Sequence, residues 1–102
     1  SMYCQGIGVE QDHGAAVKWY RMAAEQGDAI AQFNLAVSYV KGLGVTRDLG
    51  KAHMWLSFSA RYGDRQAAAG LDKLANHMTA LQLDEARQLA FEYEASRALP
   101  HR

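Results

Sequence analysis

A spacing of 36 residues constrains this chain more than any other feature. The stretch Gly42-Leu43-Gly44-Val45-Thr46-Arg47-Asp48 has an earlier copy, Gly6-Ile7-Gly8-Val9-Glu10-Gln11-Asp12, at that offset. The match extends well beyond the loop. Thirteen of the 33 positions from 3 to 35 are identical to their counterparts from 39 to 71, among them Tyr3/Tyr39, Ala16/Ala52, Trp19/Trp55, Gly27/Gly63, Asp28/Asp64, Ala31/Ala67 and Leu35/Leu71. A fixed period between about 20 and 50 residues signals stacked supersecondary units. Each unit depends on its neighbours to bury its apolar face.

The patterning between the loops is helical. Asp12 is placed to cap a helix running to about Gln26, with Ala16, Trp19, Tyr20, Ala23 and Ala24 recurring at three and four. Gly27 suits the left-handed residue that ends it, and Asp28 starts a second helix reaching about Lys41. Ala31, Leu35 and Tyr39 form that helix's stripe, broadened by Phe33 and Val37. After the second loop, Asp48 starts a helix to about Tyr62, and Gly63-Asp64 repeats the stop and start. The fourth helix extends to about His77. No stretch alternates apolar and polar residues with a β-branched bias, so the expected fold is all-α with about five helices.

At residue 78 the repeat breaks. Met78 stands where a third loop glycine belongs, and Thr79-Ala80-Leu81-Gln82 reads as a capping box. The helix after it, to about Ala98, carries Leu83, Ala86, Leu89, Ala90 and Tyr93 on one side and acidic and basic residues on the other. A terminal helix with a polar outer face is how a repeat array closes its end. The divisions are a partial repeat over 1–27, a complete one over 28–63 and a closing unit over 64–102.

The residues Ala31-x-x-x-Leu35-x-x-x-Tyr39-x-x-Gly42-x-Gly44-Val45-x-x-Asp48-x-x-x-Ala52-x-x-Trp55, ending in Ala60-x-x-Gly63-Asp64, resemble the Sel-1-like repeat. The earlier copy, with Ala16-x-x-Trp19-Tyr20-x-x-Ala23-Ala24-x-Gln26-Gly27, is similar to it again. The resemblance covers roughly residues 2–74. It implies an α/α superhelix of antiparallel helix pairs, related to tetratricopeptide repeats, whose members are mostly adaptors in multiprotein assemblies. It implies no cofactor. One departure is Ala36, where the family usually has Gly.

Within that frame Gly6, Gly8, Asp12, Trp19, Gly27, Gly42, Gly44, Val45, Asp48, Trp55 and Gly63 form a structural signature. The glycines supply positive φ and let backbone approach backbone. Val45 is expected to plug the gap between paired helices, and both tryptophans to anchor the core. Candidate partner contacts lie on the outer stripe of the first helix of each pair, expected to be the concave face. Asn34, Val37, Ser38 and Lys41 share one side of the second helix. One period on stand Gly70, Lys73, Leu74 and His77. Asn34, Ser38, Lys41, Lys73 and His77 are therefore the residues expected to hold a partner protein, as an extended peptide or its carboxylate; ordinary solubilising residues are the competing account.

Other chemistry finds little support. Eleven basic residues balance eleven acidic ones, which gives no basic excess for nucleic acid. There is no apolar run long enough to enter and cross a membrane. Gly-x-Gly before a helix evokes phosphate binding, but the preceding strand and third glycine are missing, and an Asp cap would repel an anion. Cys4, His13, His53 and His77 have no metal-ligand spacing. Serines 38, 57 and 59 lack a His–Asp pattern, so no catalytic residue is assigned. The reading is a non-catalytic protein–protein interaction module. Its rival is an accessory or regulatory domain of a cell-envelope enzyme system, or a small-molecule binder. The first helix lacks most of its partner, so Val17, Tyr20 and Met22 are expected to be partly uncovered. That implies a longer array, or self-association through the incomplete N-terminal repeat.

Overall fold

The computed structural model describes residues 12–98. Gly6 and Gly8 of the repeat signature, and Cys4, lie outside them. Five helices follow in order: α1 (His13–Glu25), α2 (Ala29–Lys41), α3 (Leu49–Arg61), α4 (Arg65–Ala75) and α5 (Ala80–Ala98). The described residues contain no strand, and the architecture is an all-α helical repeat.

Each of the first four helices starts on an aspartate, because a short carboxylate can accept from the otherwise orphaned amides of the first turn. Asp12 Oδ1 accepts from the Ala15 amide at 3.0 Å, and Asp48 from that of Lys51 at 3.1 Å. Asp28 and Asp64 each accept from two amides, two and three residues on. Helices α1 and α3 end alike. The amides of Gly27 and Gly63 bond back to Ala24 and Ala60, and those of Asp28 and Asp64 to Ala23 and Ser59. These paired bonds need a left-handed residue after the helix, and both glycines have positive φ. The fifth helix starts differently. The Thr79 amide donates to Gln82 Oε1 at 2.8 Å, and the Gln82 amide to Thr79 Oγ1 at 3.0 Å, as a capping box requires. Helix α4 stops at Ala75, two residues before the expected His77, because His77 and Met78 turn back to bond Leu74 and Ala75.

Packing runs α1 on α2, α2 on α3, α3 on α4 and α5 across α3. Helix α3 therefore lies among three others and carries the centre of the core, with Ala52, Met54, Trp55, Leu56 and Phe58 buried beside Leu35, Ala36 and Tyr39. Ala36 has no exposed surface, so the position requires a small residue and Ala suffices. The buried Ser59 hydroxyl donates to the Ala29 carbonyl at 2.7 Å and joins α3 to the start of α2.

Gly44 sets the position of the α2–α3 loop against α1. A Cβ on it would stand 2.3 Å from the His13 carbonyl oxygen, and its φ is +79°. The loop backbone thus rests directly on the N-terminus of α1. Val45 beside it packs partly buried against the core.

Three expectations are overturned. Trp19 is 70% exposed, whereas Trp55 is 4% exposed. Helix α5 packs on α3 and sets Tyr93 edge-on to Trp55 at 5.2 Å, but α3 makes no comparable contact with α1. One repeat before Tyr93 stands Ser57, too short to cover an indole. Val17, expected to be partly open, is buried as part of the core, while Met22 is exposed and Tyr20 half-buried. The outer side of α5 is not wholly polar, since Leu81 and Phe91 are both exposed.

Candidate partner-binding groove

Helices α2 and α4 hold equivalent places in successive units, and residues 36 apart along them face the same way. A groove of about 280 Å³ lies between them. Its walls are Phe33, Val37, Val40 and Lys41 from α2, Gly70, Lys73 and Leu74 from α4 and His77 just beyond it, with Leu56 of α3 beneath. Gly70 keeps the floor open. Its nearest neighbours are the Leu56 methyls, 3.8 Å from where a Cβ would stand.

The structure brings three of the five expected contact residues together here: Lys41, Lys73 and His77. Asn34 does not line the groove, and its carbonyl accepts the Ser38 hydroxyl at 3.1 Å. Ser38 itself is buried, so its hydroxyl serves the helix and offers no contact surface. The ion pairs among the described residues join Arg61 to Glu94 and Arg87 to Asp84, which leaves both groove lysines without an acid partner. The apolar floor was legible only in part. Phe33 and Val37 stand out by spacing, but Leu56 enters from another helix and only packing reveals it.

Among the described residues, two titratable groups are shifted from their ordinary values, and they lie apart. Burial, aided by the Arg87 guanidinium, lowers the His53 pKa. Burial raises that of Tyr93, against the opposing Arg97 charge. Tyr93 lines a cleft at the C-terminal ends of α1 and α3, and His53 does not. The described residues hold no cluster of three or more His, Cys, Asp or Glu with metal-binding geometry. No described helix is long and apolar enough to cross a membrane.

Comparison with known proteins gives the same architecture. The Sel1 repeat profile matches residues 1–28 and 29–64. Among solved structures, the chain is similar to a protective antigen present in uropathogenic Escherichia coli strains, described as displaying an SLR fold. The identity is 29% and the TM-score 0.78, over 96% of this chain and 23% of the antigen. This chain therefore spans about a quarter of the antigen's length. No curated protein matches the sequence.

Proposed function

The chain belongs to the Sel1 repeat family, and from that premise we propose that it binds a partner protein through the groove between α2 and α4. Sel1 repeats are generally protein–protein interaction modules and typically non-catalytic scaffolds. One observation carries the finer reading: an apolar floor edged by Lys41, Lys73 and His77, with neither lysine neutralised among the described residues. An apolar side chain of a partner segment would enter the floor. A neighbouring carboxylate, from an acidic residue or a chain terminus, would meet the lysines. A charge left without an internal partner costs little in water and gains most when a complementary group arrives with an apolar surface that excludes water.

The test is affinity capture from an extract of the source organism, followed by calorimetry with the captured partner. Lys41→Glu with Lys73→Glu abolishes binding while circular dichroism stays unchanged. Equal binding by the reversed variant removes the groove from the interface.

A second surface supports self-association or a further repeat against α1. Trp19 and Met22 lie three residues apart on one side of α1, and Met22 is 54% exposed. Sedimentation velocity over a concentration series checks this. Concentration-dependent dimers that vanish in Trp19→Asp favour a second copy, and a concentration-independent monomer argues against it.

A further inference from the structure

A second cleft, separate from the α2–α4 groove, lies where the C-terminal ends of α1, α3 and α5 meet the start of α2. It encloses about 440 Å³. Gln32 lines it and is 3% exposed. Its Nε2 donates to the Ala24 carbonyl at 3.0 Å, which fixes which way the amide points. That leaves Oε1 buried with no hydrogen-bond donor among the described residues. A buried acceptor without a donor is a cost that a structure seldom carries, and here its residue lines a cleft. Whatever satisfies it must donate.

The rest of the lining narrows the donor's chemistry. Glu25 and Glu94 bring two carboxylates, of which Glu94 is already paired with Arg61, and Tyr62 and Tyr93 bring aromatic faces. Helix C-termini carry partial negative charge, and α1, α3 and α5 all end here. Aromatic faces attract cations as well. One intramolecular group already shows the preference. The Arg97 guanidinium lies over the Tyr93 ring, 5.5 Å from its centroid, and donates to the Glu25 carbonyl.

We propose that this cleft binds an alkylammonium or guanidinium group, with Gln32 Oε1 accepting one N–H, Tyr62 and Tyr93 flanking the cation, and the Glu25 carboxylate beside it. Arg97 competes for the same edge, so the free protein carries a partial stand-in for its ligand. The group arrives on a lysine or arginine side chain of another protein, or on a free small cation, and both present the same chemistry. This site does not depend on the α2–α4 groove and stands or falls separately.

Two-dimensional ¹H–¹⁵N NMR tests it, following the Gln32 side-chain amide and the Gly27 backbone amide. The probes are ethylammonium and ethylguanidinium chloride, blocked Gly-Lys-Gly and Gly-Arg-Gly peptides, and acetamide and sodium acetate as controls. The cationic probes produce saturable shifts and the controls do not. Gln32→Met, which keeps length and removes the acceptor, weakens binding about fivefold or more. Tyr62→Ala, at an exposed position, weakens it too and serves if Gln32→Met fails to fold. Arg97→Gln tightens it by removing the competitor. Tighter peptides than free cations assign the ligand to a protein side chain, and equal affinities assign it to a small molecule. The proposal is overturned if no cationic probe saturates, if acetamide shifts the same resonances equally, or if Gln32→Met and Tyr62→Ala both bind as the unaltered protein does.

Discussion

Helices α1 and α3 are two copies of one sequence pattern, and they lead different lives. Each starts on an aspartate cap, ends on a left-handed glycine and carries a tryptophan at the same register. Yet Trp55 is a core residue and Trp19 stands in solvent. The backbone program is copied by the repeat, because caps and glycines act within a few residues. Burial is not copied, because it depends on which helix arrives from elsewhere. Helix α5 breaks the period and brings Tyr93 over Trp55; nothing in the described residues does so for Trp19. In a solenoid, then, an identical residue is an anchor where a neighbouring helix covers it and stands exposed where none of the described helices does.

Truncating the two tryptophans should separate these roles most widely. Trp55→Ala removes a buried indole and its edge-on contacts with Phe58 and Tyr93, and should cost about 3–5 kcal/mol in urea unfolding. Trp19→Ala should stay within about 0.5 kcal/mol, as an exposed substitution does. Next in size is the joint between the copies. Gly44→Ala forces a Cβ into the His13 carbonyl and a side chain into positive φ, for a loss above about 2 kcal/mol. Gly63→Ala meets nothing within 4 Å and bears only the φ strain, so it should cost about 1 kcal/mol by the same assay. The caps are expected to be alike in both copies. Asp12→Ala and Asp48→Ala should each cost about 1 kcal/mol, and a large inequality would mean that the cap energies depend on their neighbours.

A pH-dependent difference arises at one shared register position. Val17 in α1 is replaced one period later by His53, half-buried in α3 near Arg87. Burial and the guanidinium both disfavour its charged form, so its folded pKa lies below the ordinary 6.5. The unfolded chain then binds the proton more readily. Stability is therefore lost as pH falls from about 6.5 to the lower folded value, and the loss levels off beneath it. Thermal melts of His53→Gln should show less of this dependence across that window, and Arg87→Gln should reduce it partway.

Local structure was legible in the sequence wherever its cause is local. The four aspartate caps, the glycine turns and the Thr79–Gln82 box all act over three to five residues, and their residue types announce them. The meeting of Lys41, Lys73 and His77 was legible too, because a 36-residue period converts one helix face into the next. What lay beyond reach came from helices that cross. Leu56 beneath the groove, the burial of Ser38, the exposure of Trp19 and the unpaired Gln32 oxygen all depend on how α3 and α5 sit against their neighbours. Periodicity along a single helix carries no record of that.

Acrylamide quenching of tryptophan fluorescence in Trp19→Phe and Trp55→Phe tests the difference between the two copies most directly. With Trp55 alone remaining, emission should be blue-shifted and nearly unquenched. With Trp19 alone, it should be red-shifted and quenched close to the rate of free indole. Equal, low quenching of both would contradict an open edge at α1 and would mean that a further unit or a second copy covers Trp19 in solution.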